Sequence, residues 1–314
     1  MSRLILWVLI ALSAASCYRV SDTINPKVSH QVQDLHFRSA PSAFAPLSGE
    51  ERASDWGREL LIAHGFIDEL DLYRAVSTYK RAEFLVPPES PRKLEIQYDI
   101  VFCYFLAKRY DETVMAFERS GLVNVDKTFP AHHDLLLILY ESYREMECTE
   151  KQDKIMELIQ QSYPDTAEKL RVSQSLREGN LCEIAQFAAG FHERSYLDEL
   201  LDTYNAQKKS VATAQTLNAI IPGAGYLYIG QRKSALTAFL LNGLFITAAY
   251  QFFHHGHIAA GIITVGFESG WYFGGIYGAG EEAKYYNERV YEKNASLVLN
   301  DTKLFPVLMI QHGF

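Results

Sequence analysis

IIPGAGYLYIGQRKSALTAFLLNGLFITAAYQFF, residues 220–253, decides the fold. Pro222, Gly223 and Gly225 end any helix that precedes them. Tyr226 and Tyr228 suit a membrane interface, and Arg232 and Lys233 mark a headgroup edge. Ser234–Phe253 then runs twenty residues without a charge. At about 1.5 Å per residue this helix reaches about 30 Å, the thickness of a hydrocarbon core. After the polar break HHGH (254–257), Ile258–Gly280 is a second apolar run of twenty-three residues with Glu268 as its only charge. Two such runs joined by four residues lie antiparallel. The expectation is an all-α chain whose C-terminal part, 216–280, is a turn followed by a membrane hairpin with helices at about 234–253 and 258–280.

PGAGYLYIGQRKSA resembles the turn that opens a bacterial two-transmembrane hairpin family carrying P-G-x-G, then tyrosine, then glycine. Pro222, Gly223, Gly225, Tyr228 and Gly230 match. The family's charged signature between the helices is absent, and the resemblance implies topology rather than chemistry. In the second helix Gly266, Gly270, Gly274 and Gly278 recur every fourth residue. That spacing lays a small-residue groove along one face, expected to pack on the first helix or on a second copy. Glu268 points away from the groove. An ionisable residue at that depth pairs with a partner, is protonated and bonded to Asn242, or lies in a segment that is not fully immersed. Three histidines in HHGH lack a neighbouring carboxylate or cysteine, so the loop reads as a polar cap and no metal is expected.

MSRLILWVLIALSAASC, residues 1–17, has a basic start, a short apolar core and small residues before Cys17. This is the signal-peptide layout. Small residues before a cysteine resemble the lipobox of bacterial lipoproteins, which implies lipidation of Cys17; Ala14 stands where leucine is usual. Residues 18–50, with three prolines and no sustained periodicity, read as an extended tether. Cys103, Cys148 and Cys182 fall in helical patterns without metal spacing and are expected to be buried thiols.

Residues 51–215 carry the helical period. Ala75, Tyr79 and Ala82 recur at i, i+4 and i+7, and Pro87 ends the run. The pattern resembles a tetratricopeptide unit, with Glu59 in place of the consensus tryptophan. A second unit fits Tyr104 and Phe117, with Thr113 and Ser120 replacing the alanines. Tyr79 and Phe117 are 38 residues apart against the usual 34, which predicts a longer inter-helix loop. Further helices are expected at 133–147, 151–163, 165–177, 180–190 and 196–216. Residues 281–314 read as an interfacial amphipathic helix and an apolar tail, LFPVLMIQHGF, that packs back on the helical domain.

A net charge of −8 gives no basic footprint for nucleic acid. No nucleophile elbow, phosphate loop or zinc motif is present, and no cofactor is expected. The chain therefore reads as a non-enzymatic membrane protein of the bacterial cell envelope. Its helical-repeat scaffold would bind protein partners beside the lipid, with a homo-oligomer formed through the glycine face. The alternative is a component of a transport or protein-insertion assembly that uses the glycine helix and Glu268. A third possibility is an enzyme assembled in three dimensions, for which a cluster of His132, His133 or His192 with acids would speak. Orientation is in conflict. The signal places the helical domain in the periplasm, whereas Arg232, Lys233, Lys284 and Arg289 flank the hairpin as cytoplasmic residues do.

Overall fold

The computed structural model describes residues 20–28, 40–190 and 195–314; the stretch expected to be a signal peptide, Cys17 and His192 lie outside them. The described chain is helical, without a strand beyond one isolated bridge between Ser42 and Gly313. It divides into two compact units, 30–176 with 297–314, and 1–29 with 177–296. These divisions fall elsewhere than the expected boundary at 215, and they assign the apolar tail to the unit of helical pairs.

In the first unit, α1 (Gly49–Ala53) is closed by a capping box of Ser48 and Glu51. Three helical pairs follow: α2 (Asp55–Asp68) with α3 (Leu72–Leu85), α4 (Arg92–Leu106) with α5 (Tyr110–Glu118), and α6 (His132–Glu145) with α7 (Thr149–Ser162). Each pair turns on three residues, and the turns are alike. Leu70, Lys108 and Glu147 have φ of 60°, 57° and 57°. The next N–H in each bonds the carbonyl five residues back: Asp71 to Phe66, Arg109 to Tyr104, Cys148 to Tyr143, at 2.8–2.9 Å. This is the Schellman helix stop, which glycine usually occupies. The turns recur after 38 and 39 residues, so the period found between Tyr79 and Phe117 extends to a third pair. The longer spacing does not enlarge the turn within a pair.

A left-handed non-glycine residue costs about 1–2 kcal/mol, partly offset by the lower entropy it loses on folding. Lys108→Gly is therefore expected to stabilise the unit by about 0.5–1 kcal/mol, read as a higher denaturation midpoint.

The core of the first two pairs joins Leu60, Ala63, Ala75, Tyr79, Ala82, Ile96, Ile100 and Cys103. Ala75, Tyr79 and Ala82 are thus core residues, with Tyr104 partly buried against them. Phe117 is half-buried and Pro87 exposed. Thr113 is buried in place of alanine because its hydroxyl donates to the Arg109 carbonyl at 2.9 Å. Of the other cysteines, Cys148 is half-buried and Cys182 exposed, so only Cys103 fits the expected buried thiol.

The second unit holds α9 (Leu181–Gly190), α10 (Ser195–Gln207), α11 (Val211–Ile220), α12 (Ala224–Tyr228), α13 (Arg232–His254) and most of α14 (Ile258–Asp301); α8 (Pro164–Glu178) leads into it. The single helix expected over 196–216 is broken at 208–210. Asn287 causes the break by binding both backbone groups of Lys209, accepting from its N–H at 2.7 Å and donating to its carbonyl at 2.8 Å. Ser210 then caps α11. The second expected membrane helix does not end at 280; α14 continues unbroken for 44 residues. Part of the expected tether is pinned along it, with the N–H groups of Asn25 and Lys27 donating to Glu288 and Glu292 at 2.9 and 2.6 Å.

Candidate functional site: a glycine junction, a membrane-length helix and a peptide clasp

The P-G-x-G turn is a packing junction. Asn218, buried at the end of α11, accepts from the Gly223 N–H at 2.8 Å. Gly223 has φ of 94°, and a Cβ there would lie 2.3 Å from the Ala235 carbonyl oxygen of α13. A Cβ on Gly225 would meet the Ala214 carbonyl oxygen at 2.3 Å and the Ala279 methyl at 2.9 Å. Gly230, with φ of 91°, repeats the helix stop of the first unit, the Gln231 N–H bonding the Tyr226 carbonyl. Tyr228 accepts from the Ser210 N–H at 3.2 Å, and Lys209 lies over its ring. Gly223, Gly225, Tyr228 and Gly230 thus each have a local role in the turn.

From this junction α13 runs 23 residues, long and apolar enough to cross a membrane; its most apolar 18-residue stretch has a mean hydropathy of 1.5, and only 11% of that stretch is buried. Leu236, Phe239, Leu240, Leu244 and Tyr250 all stand exposed. On α14 the expected roles of the glycines are exchanged. Gly266, Gly270 and Gly274 have open space where a side chain would be, so the stripe does not pack on α13. Gly278 meets the Tyr226 hydroxyl instead, and close approach to α13 falls at Gly261, where a Cβ would lie 2.6 Å from Phe253. Glu268 is half-buried with one carboxylate oxygen unbonded, and the expected bond to Asn242 is not made. Asn242, only 4% exposed, donates to the Ala238 carbonyl at 2.6 Å and leaves its own oxygen without a partner. HHGH forms the turn between α13 and α14, and no cluster able to hold a metal occurs among the described residues.

Between the turn and α13/α14 lies a cavity of about 710 Å³. Lys233, Glu281 and Glu282 line it beside Gln231, whose amide donates to Glu282. Thr237, Asn242, Gly270, Trp271 and Gly274 line it further along the helices.

In the unit of helical pairs two cavities share Lys80, Tyr104 and Glu112, between α3 and α5. They measure about 280 and 390 Å³. Tyr73 borders the larger and is 83% exposed. The stretch across α4 and α6 is filled by the chain itself. Phe314 stacks on Phe102 of α4 at 4.7 Å, and the Gly313 N–H donates to the Pro41 carbonyl. Asp134 of α6, with no exposed side-chain surface, accepts the Gln311 and His312 N–H groups at 3.1 and 2.9 Å. It also meets Nδ1 of both His312 and His133, at 2.8 and 2.9 Å. Burial raises its pKa, but the bonds from His133, the Gln311 N–H and His312 outweigh burial and hold it below the usual carboxylate range.

The histidine cluster foreseen for an enzyme does form in part. His133 stands between Asp134 and the Thr166 hydroxyl, 3.0 Å from Nε2, in the order of acid, base and nucleophile. Asp134, however, is committed to the tail, and none of the cavities above is lined by Thr166. The arrangement works as a clasp. No sequence motif announces it, because its halves are 177 and 178 residues apart.

Comparison with family models, curated proteins and solved structures finds no match for this chain.

Proposed function

We propose that this chain is a non-enzymatic scaffold of the bacterial cell envelope, anchored by a membrane hairpin of α13 and the first part of α14. Its tetratricopeptide-like unit holds protein partners beside the lipid. The observation that carries the reading is α13 itself: a membrane-length helix whose leucines and aromatics are exposed on most sides. Leaving such a surface in water is unfavourable by about 25 cal/mol per Å² of apolar area, so lipid or a partner covers it. The groove beside Tyr73, Lys80 and Tyr104 offers partners an aromatic and cationic surface. Lipidation of Cys17 would add a second anchor.

A second reading, membership of a transport or insertion assembly, is favoured by the open stripe of Gly266, Gly270 and Gly274, which leaves room for another membrane helix. A second copy of the chain would use the same face.

Topology tests the first reading. Single cysteines at Ser77 and His257, both exposed, are labelled in intact and permeabilised cells in a chain whose Cys103, Cys148 and Cys182 are replaced and Cys17 kept, with Cys17→Ala as control. Ser77→Cys is expected to label from outside the inner membrane, and the protein to resist carbonate extraction. Carbonate-soluble protein would overturn the hairpin, and labelling of residue 77 only after permeabilisation would move the scaffold to the cytoplasm.

A further inference from the structure

We propose that the cavity beside the P-G-x-G turn seats one zwitterionic aminophospholipid, of the phosphatidylethanolamine class, with its headgroup at the rim and one acyl chain below. The proposal rests on the hairpin reading of α13 and α14. The Gln231–Glu282 hydrogen bond holds the start of α13 level with Glu281 and Glu282. The cavity rim therefore presents one ammonium, Lys233, and two carboxylates at one depth.

Neither Lys233 nor Glu281 has an ion pair among the described residues. A headgroup carrying both charges compensates both, phosphate on Lys233 and ammonium on Glu281. The carboxylates repel a headgroup of net negative charge. They also select among zwitterions, because a primary ammonium donates hydrogen bonds to them and a quaternary one cannot.

Below the rim the walls suit a chain. Gly270 and Gly274 have open space in place of side chains, so an acyl chain can lie against bare helix beside Trp271. Lys233 to Asn242 spans about 13 Å at 1.5 Å per residue, close to the depth of one leaflet. There Asn242, only 4% exposed, closes the lining of the cavity.

The full chain is reconstituted into vesicles of phosphatidylethanolamine with phosphatidylglycerol, or of phosphatidylcholine with phosphatidylglycerol. It is then re-extracted, and retained lipid is counted by native mass spectrometry. Carbonate resistance is scored in parallel. Wild type is expected to keep one ethanolamine lipid per chain, with at least tenfold preference over choline. Lys233→Gln and Glu281→Gln should each lower retention about tenfold. Gly274→Leu, which fills the chain's path at a position open enough to leave the fold intact, should abolish it. Equal retention of choline lipid, or unchanged retention in Glu281→Gln and Gly274→Leu while the protein stays inserted, overturns the site and leaves the hairpin standing. Loss of wild-type protein to carbonate overturns both.

Discussion

Gly223→Ala is expected to lower the melting temperature of the second unit by about 10 °C. Two independent effects add there. The residue sits at φ of 94°, which costs a residue with a Cβ about 1–2 kcal/mol. The new methyl carbon would also stand 2.3 Å from the Ala235 carbonyl oxygen. That atom belongs to the backbone of α13 and cannot swing aside, so α13 must move, at a further 1–3 kcal/mol or about that. A combined loss of about 3–4 kcal/mol shifts the melting point by about 10 °C at 2–4 °C per kcal/mol. Two companions separate the terms. Gly230→Ala meets the same φ with open space around it and should lose only the conformational part, about 3–4 °C. Gly225→Ala keeps an ordinary helical φ but drives its Cβ to 2.3 Å from the Ala214 carbonyl, and should fall between the two. Thermal unfolding in detergent, followed by circular dichroism, reads all three. If Gly223→Ala and Gly230→Ala shift equally, close packing of the turn on α13 is not what makes Gly223 necessary.

That junction was legible because its signals are local. Proline and glycine act on their own backbone, so Pro222, Gly223, Gly225 and Gly230 announce a turn whatever lies around them. The pairing of α2 with α3 was legible for a related reason: Ala75, Tyr79 and Ala82 repeat at the spacing that puts them on one face. What escaped were features set by distant residues. Nothing near Lys208–Ser210 says that a helix must break there; Asn287 does, by taking both backbone groups of Lys209. Leu70, Lys108 and Glu147 stop their helices in a conformation that glycine would have advertised. The glycine repeat on α14 has the right spacing for a packing groove, but spacing cannot say which face of a helix meets its neighbour. α13 comes close at Gly261, and three of the four repeat glycines stay open. Continuation of α14 past 280 was hidden by the shift from apolar to charged composition, which changes the solvent a helix prefers without breaking it.

Asp134→Asn is expected to free the last residues of the chain while leaving the rest of the tail docked. Leu304, Phe305, Val307 and Ile310 are each buried, and each contributes about 1.5–3 kcal/mol of apolar burial. Their sum far exceeds what one carboxylate supplies. Gln311–Phe314 are held differently, by two backbone N–H bonds to Asp134, the His312 imidazole and the Phe314 stack. The amide of asparagine keeps one acceptor and turns a donor toward groups that donate. Leaving buried donors unmatched costs about 3 kcal/mol. Amide exchange at Gln311 and His312 should therefore rise roughly a hundredfold, with little change at Phe305–Ile310. Acid should mimic the substitution. The folded pKa of Asp134 is depressed, so its contribution is fully present above the unfolded value of about 3.9 and is lost as pH falls through the lower folded value. Protection of Gln311 and His312 is then expected to hold at pH 5, to begin to decline below about pH 4 and to be lost only once pH has fallen through the depressed folded value, and to be absent throughout in Asp134→Asn. If protection at Phe305–Ile310 falls in step with that at Gln311, the tail leaves as one piece, and Asp134 governs the whole face of α4 and α6 rather than its outer end.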